Sequence, residues 1–482
     1  MTSTTTIHKN FIDGEWLAGS DATVNVNPSD LDDVIGRYAV ADAAQVEHAV
    51  AAARRAFKPW SAVGVQERSD ILDRVGTEIL ARREELGRLL SREEGKTLPE
   101  GIGEATRAGQ IFRFFAAEVL RGRGELLDSV RPGVGVEITR EPVGVVGLIT
   151  PWNFPLAIPA WKIAPALAYG NCVVFKPAEL VPGCAWALSD ILSRAGLPDG
   201  VFNLVMGPGA VVGDAIARSA GVDAISFTGS VSTGKRVAAV AAERLAKVQL
   251  EMGGKNPLVI LDDADLDIAV RCAVQGSYYS TGQRCTASSR LIVASGIHDR
   301  FVKSLGEALR RLTVDDALAP GTDIGPVVDE RQLACDLGYI ECGTGEGATL
   351  AFGGNLLTRA KRGHYLSPAL FTETTPEMRI NREEIFGPVA TVLRADGYEH
   401  ALAIANDTPF GLCAGIVTGS LKHAAHFKRN ADVGMVMVNL PTAGVDYHTP
   451  FGGRKASSHG PREQGAYARE FFTTVKTSYV QA

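Results

Sequence analysis

The stretch VGVVGLITPWNFPLAIPAWKIAPALAYGNCVVFKPAE, Val143 to Glu179, decides the fold class. It opens with a short apolar run, VVGLIT, and passes through a proline-rich turn. It continues as the helical segment LAIPAWKIAPALAYG and closes on a second apolar run, CVVFKP. Two unbroken apolar runs of strand length joined by a helix describe a βαβ unit, with strands buried on both faces. The alternation continues downstream. CAWALSDILSRAG reads as helix, VFNLVMG as strand, VVGDAIARSAG as helix, AISFTGS as strand, STGKRVAAVAAERL as helix and KVQLEMGG as strand. The chain is therefore an α/β protein with a parallel sheet covered on both sides. Such sheets bind ligands outside the carboxyl ends of their strands.

A second α/β series begins near Pro257 with PLVIL, a helix from Asp265, RLIVAS and the helix HDRFVKSLGEALRRL. VATVLRA, HALAIAN, GLCAGIVTG and GMVMVNL extend it. Two domains suit a length of 482 residues, beyond the size at which one core stops growing. Up to about Arg123 the pattern is helical, as in AAQVEHAVAAARRAFKPW and RSDILDRVGTEILARREELGRLLSREEG, where apolar residues recur every three to four positions. Two segments stand apart. GVGVEITREPVG near Val134 and the tail FFTTVKTSYV alternate like strands, and we expect an appended sheet or an oligomer contact.

The net charge is −6, and the densest basic cluster is only KRGH near Lys361, which argues against nucleic acid or an anionic membrane as partner. Seven cysteines without a CxxC pair read as reduced thiols and no zinc cluster; nine scattered histidines lack HExxH, so no metal is expected. The N-terminal MTSTTTIHKNF lacks a secretory pattern, and the most apolar stretch is cut by prolines and glycines. A cytoplasmic enzyme acting on a small molecule is the expectation.

Three glycine patterns compete for a phosphate. GTGEGA, Gly343 to Ala348, follows a helical stretch and reads as a turn. GSVSTGKR from Gly229 resembles a phosphate loop, but Arg236 stands where the magnesium-holding hydroxyl belongs, so nucleoside triphosphate hydrolysis is disfavoured. Gly229, Ser230 and Gly234 can still open a helix whose N–H groups hold a phosphate. GPGAVVG, with Gly209, is a second strand-to-helix turn. VFKPAE places Lys176 and Glu179 at the ligand edge, where lysine suits a ribose hydroxyl or phosphate and a carboxylate suits ribose hydroxyls and repels a 2′-phosphate. Together these point to a dinucleotide.

Cys285, in YYSTGQRCTASSR, follows the helix from Asp265, and STGQR lifts it into irregular backbone. Only a few per cent of free cysteine is thiolate at neutral pH, and a nearby base or positive charge raises that fraction. Buried packing and nucleophile are both open for it. Glu251 ends a strand before two glycines in QLEMGGKNP, Asn153 is held between prolines in TPWNFP, and Glu384 and Phe386 occupy the turn EEIFGPV.

TPWNFP, KPAE, FTGSVSTG, LEMGGKNP, GQRCTASSR and EEIFGPV, in this order, resemble the NAD(P)-dependent aldehyde dehydrogenase superfamily over nearly the whole chain. The resemblance implies that Cys285 is the nucleophile, Glu251 the general base, and Asn153 with the Cys285 N–H the oxyanion hole. It places Lys176 and Glu179 on the adenosine ribose and Ser230 with the Gly229–Gly234 turn, Gly209 nearby, at the pyrophosphate. Ile149, Trp152 and Met252 are expected beside the cofactor, with Glu384 on the nicotinamide ribose and Phe386 by its ring. NAD is expected, NADP being possible. The implied fold has a Rossmann-type cofactor domain over residues 1–123 and 143–252 and a catalytic domain over 253–440. Residues 124–142 and 466–482 form an oligomerisation sheet, and 441–465 return near the active site. A homodimer or homotetramer is implied.

STGQRCTASSR and the C-terminal run from Leu440 are most similar to members oxidising α-ketoglutaric semialdehyde (2,5-dioxopentanoate) to 2-oxoglutarate. Relatives acting on succinate semialdehyde commonly carry arginine where this chain has Trp161. Arg284, Ser288 and backbone donors are the candidates for the substrate carboxylate. Phe154, Ile158, Trp161, Tyr447 and Phe451 are candidate pocket walls, with core packing as their alternative role. Succinate or glutarate semialdehyde, another aldehyde, or a non-catalytic nucleotide-binding role are the competing readings.

Overall fold

The computed structural model describes residues 6–122 and 124–481. The first five residues, Arg123 and Ala482 lie outside it; they include five of the eleven residues read for a signal, the end of the first helical region as read and the last residue of the tail segment.

The opening βαβ unit forms as its pattern dictates. Val145–Ile149 and Cys172–Lys176 are buried throughout and pair in parallel, from Val145 opposite Cys172 to Ile149 opposite Lys176. The helix Ala157–Ala168 joins them, and every one of its residues is buried. From Val145–Ile149 the chain moves one way across the sheet, through Cys172–Lys176 to Phe202–Leu204. It then returns to lay Ala224–Thr228 and Lys247–Glu251 on the other side. That reversal opens a crevice between the carboxyl ends of Val145–Ile149 and Ala224–Thr228, the place where such sheets take ligands.

The sheet has edges that sequence reading missed. Asn10–Ile12 and Glu15–Leu17 add to one side, and Ser458–His459 adds antiparallel to Lys247–Glu251 on the other. Asp21–Asn27 and Asp30–Val40 form a separate hairpin with Ile7–His8 beside it. The helical reading of the region up to Arg123 is thus corrected before Ala41. Its strands are short or half-polar, and their pairing is set by distant chain, as where Phe11 faces Leu204.

A second sheet runs Thr349–Phe352, Ala369–Thr372, Val389–Ala395, Ser288–Ala294, Asn256–Ile260, Cys413–Val417 and Met435–Val438, parallel except at its first strand. Only residues 252–255 link the strand Lys247–Glu251 of one sheet to the strand Asn256–Ile260 of the other. The two outlying segments pair as a separate antiparallel sheet: Thr473–Gln481 on Val134–Pro142, with Glu125–Asp128 alongside. Leu126, Val475, Tyr479 and Val480 leave large apolar side chains exposed on it.

The Leu98–Glu118 helix packs against Ala157–Ala168 and starts at a capping box of Thr97 and Glu100. Its Glu100, Glu104 and Arg107 are spaced to share one face. Among the described residues no helix is long and apolar enough to cross a membrane.

Candidate active site

The loop carrying Cys285 is forced into an unusual backbone. The Leu266–Ser277 helix ends, and Ser280, Thr281 and Gly282 take φ of 51°, 57° and 66° in succession. Left-handed conformations on non-glycine residues cost roughly 1–3 kcal/mol each and persist only where surroundings impose them. Here Glu100 Oε1 accepts from both the backbone N–H and the hydroxyl of Ser280, each at 2.9 Å. Thr281 donates to the Gly325 carbonyl at 3.1 Å, and Asn256 Nδ2 donates to the carbonyls of Cys285 at 2.7 Å and Ala287 at 2.9 Å. A Cβ on Gly282 would lie 2.2 Å from the Gly387 carbonyl oxygen. Gly282→Ala therefore adds a backbone clash to a positive φ and is expected to lower stability by about 2 kcal/mol or more, read from urea unfolding.

Asn153 is fixed from both ends. Its Nδ2 donates to the Gln283 carbonyl at 3.0 Å, which leaves its second amide N–H for another acceptor. Its own carbonyl accepts from Lys96 Nζ. Lys96 also binds Glu104 at 2.9 Å and sits 3.6 Å from the Phe154 ring centroid. Glu104 in turn accepts the N–H groups of Leu156 and Ala157 at 2.9 and 3.1 Å. The Cys285 backbone N–H acts on its own thiol and favours the thiolate.

Glu251 accepts from the Ser458 hydroxyl, across the antiparallel pair that brings residues 458–459 to the sheet edge. Burial first, and then the Glu463 carboxylate, raise its pKa well above the usual carboxylate range. Behind it Lys162 and Glu463 form a fully buried pair, with Lys162 also 2.7 Å from Ser226 Oγ. Cys285 is pushed up to about 12 by burial, then by the carboxylates of Glu384 and Glu251. The guanidinium charges of Arg107 and Arg284 also act on the Cys285 thiol, but burial and the carboxylates outweigh them. The adjacent Arg284 is held by Glu100 at 3.1 Å, Ser280 Oγ at 2.7 Å and the Gln275 carbonyl at 3.2 Å.

Cys285 and Glu251 line a cavity of about 380 Å³, together with Phe154, Ile158, Trp161, Phe451 and Arg284. A cleft of about 790 Å³ lies along the crevice at the sheet reversal. Ile149 and Trp152 line it at one strand end, Gly229 and Ser230 at the other, and Lys176, Glu179 and Gly209 farther along. Thr228 lines both spaces and marks where they meet. Lys176 donates to the Pro177 carbonyl at 2.8 Å, and burial lowers its pKa to about 8. Glu179 Oε1 accepts the Gly209 N–H at 2.7 Å. Ser230 caps the Val231–Glu243 helix.

Some expectations need correction. Ser288 is fully buried, its hydroxyl 2.6 Å from Thr442 Oγ1, and it does not line the cavity. Tyr447 packs edge-on against Phe114 and is also outside the lining. Met252 lines the Cys285 cavity rather than the cleft, and its sulfur lies 2.4 Å from where a Cβ on Gly234 would be, so Gly234 serves close packing. Glu384 accepts the Gly254 N–H at 2.8 Å in a small space behind the Cys285 loop, and Phe386 meets Trp152 edge-on at 5.3 Å. Lys96, Glu104, Arg107 and Thr228 went unread. Three of them lie on or just before one helix, where charge at helical spacing looks like a solvated face.

Fold and site define an α/β protein with two main sheets, in which a nucleotide-sized cleft opens toward a half-buried thiol and a buried carboxylate. Residues 16–478 match the Aldehyde dehydrogenase family. The chain belongs to that family. It is 45% identical over 98% of both chains to the alpha-ketoglutaric semialdehyde dehydrogenase of Bacillus subtilis (strain 168). It is 41% identical over 98% of both to the alpha-ketoglutarate semialdehyde dehydrogenase of Haloferax volcanii. Among solved structures, the betaine aldehyde dehydrogenase of Staphylococcus aureus in complex with NAD+ superposes with a TM-score of 0.96 at 34% identity, covering 98% of this chain and 95% of that one.

Proposed function

We propose that the chain oxidises α-ketoglutaric semialdehyde to 2-oxoglutarate with NAD+. The observation carrying this reading is the identity of 45% and 41%, across nearly the full chain, to relatives named for that aldehyde. The cleft suits a dinucleotide: buried Lys176 and the Glu179 carboxylate line it and are suited to ribose hydroxyls, and Ser230 and Thr233 begin a helix suited to phosphate.

Cys285 loses its proton to solvent, and the thiolate attacks the aldehyde carbon, forming the S–C bond while the carbonyl electron pair moves to oxygen. The free Asn153 N–H and the Cys285 N–H hold that oxyanion, and one such donor contributes roughly 3–4 kcal/mol to the transition state. When bound, NAD+ supplies a hydride acceptor, and loss of hydride from the tetrahedral carbon leaves a thioester on Cys285. Glu251 takes a proton from water, the water oxygen attacks the acyl carbon, and the Cys285 thiolate departs from the new carboxylic acid. Glu384 and Phe386 act from behind the Cys285 loop and beside Trp152 in this reading. The Glu179 carboxylate disfavours a 2′-phosphate. Exposed apolar side chains on the three-stranded sheet support a homodimer or homotetramer. Seven free cysteines support a reducing, cytoplasmic setting.

Initial rates of cofactor reduction across α-ketoglutaric, succinate and glutarate semialdehydes and betaine aldehyde, with NAD+ and NADP+, test the reading. Expected is the highest kcat/KM for α-ketoglutaric semialdehyde with NAD+. A higher value on any other aldehyde overturns the substrate.

A further inference from the structure

Three cations line the Cys285 cavity: Lys96, Arg284 and Arg107. Two are already engaged. Lys96 is paired with Glu104 and the Asn153 carbonyl, and Arg284 with Glu100. Arg107 differs. Among the described residues no carboxylate lies within ion-pair distance of it; its one hydrogen bond runs from Nη2 to Gln464 Oε1 at 2.9 Å. Its Nε is buried without a partner. Glu104, one turn earlier on the same helix, is occupied by Lys96 and two backbone N–H groups.

Trp161 completes the arrangement. Its indole is 6% exposed, lines the same cavity and has a buried Nε1–H with no acceptor. The guanidinium carbon of Arg107 lies 5.6 Å from the Trp161 ring centroid. On the same indole Phe451 stacks at 5.4 Å and 29°. The apolar walls orient two donors that nothing in the chain satisfies. Leaving buried donors unpaired is costly, so a ligand that supplies acceptors gains what the empty site lacks.

We propose that Arg107 and the indole N–H of Trp161 anchor the acid end of the substrate, Arg107 taking the carboxylate and Trp161 an oxygen beside it. The anchor rests on the functional reading above and gives it a charge-recognition site that neither Arg284 nor Ser288 supplies. An arginine N–H edge matches a carboxylate, and an indole N–H is a donor only, so the pair selects a 2-oxo acid tail over a neutral or cationic one. Arg107 touches the tail and not the reacting carbon, so its removal falls mainly on KM.

The test measures kcat/KM for α-ketoglutaric semialdehyde and for pentanal, an uncharged aldehyde of equal carbon number, in the full-length enzyme and in Arg107→Met, Arg107→Lys and Trp161→Phe. Expected is a wild-type preference for the charged aldehyde that falls about 100-fold in Arg107→Met, with the change in KM, and partial retention in Arg107→Lys. Trp161→Phe keeps the stacking on Phe451 and is expected to lose about tenfold, so it carries the test if Arg107→Met fails to fold. Inhibition by 2-oxoglutarate weakens in parallel. An undiminished preference in Arg107→Met, or in Trp161→Phe where the former does not fold, overturns the anchor and leaves the substrate standing. A wild-type enzyme without preference for the charged aldehyde overturns both.

Discussion

Cys285→Ala is expected to lower kcat by about 10⁴-fold or more, because Cys285 is the only thiol among the residues lining the cavity, and a hydroxyl or ammonium there is a far weaker nucleophile. Cofactor reduction at saturating aldehyde measures this directly, and retention of full turnover would remove Cys285 from the mechanism. The same thiol has a testable electrostatic signature. Burial and the carboxylates of Glu384 and Glu251 push its pKa up to about 12, so the cofactor-free enzyme holds little thiolate at neutral pH. The reactive anion grows as pH rises toward that value. Alkylation of Cys285 by iodoacetamide should therefore accelerate about tenfold per pH unit through the alkaline range. A plateau near neutrality would show that the thiol is already ionised.

Glu251→Gln is expected to separate the two halves of the reaction. Acylation proceeds, giving a burst of reduced cofactor equal to the enzyme present, while steady turnover falls by about 10²–10⁴-fold. Rapid mixing resolves the two phases, and loss of the burst with the turnover would contradict the assignment. The pH dependence follows from the sign of the shift. Burial and Glu463 raise the Glu251 pKa, so the carboxyl is neutral and inert at low pH and becomes a base as pH rises through its raised value. Thioester hydrolysis should rise with pH in the wild type and lose that rise in the variant.

The parallel architecture was readable because its strands bury both faces. Val145–Ile149 and Cys172–Lys176 appear in sequence as unbroken apolar runs, and the helix between them repeats with its own period. Asn10–Ile12 and Asp30–Val40 were not readable, since short or half-polar strands gain their stability from partners elsewhere in the chain. Of the site, Cys285, Glu251 and Asn153 could be singled out by where they fall (after a helix, at a strand end, between prolines), but position alone left their roles open, and the family resemblance supplied them. Lys96, Glu104 and Arg107 did not, because charge on a helix face looks the same whether water or a cavity lies beyond it.

The sequence by itself determined the alternation of strands and helices from Val143 onward, the family resemblance, and the residues that end strands at the ligand edge. Those follow from local periodicity and from residues adjacent in the chain. Tertiary structure alone decided that Arg284 is tied to Glu100, that Ser288 turns inward to Thr442, and that Arg107 faces the cavity beside Trp161. Which cation remains free depends on pairings across 184 residues for Arg284 and 357 for Arg107 with Gln464. Coulomb attraction and hydrogen bonding act over a few ångströms of space, and a sequence records no such distances between residues far apart in the chain.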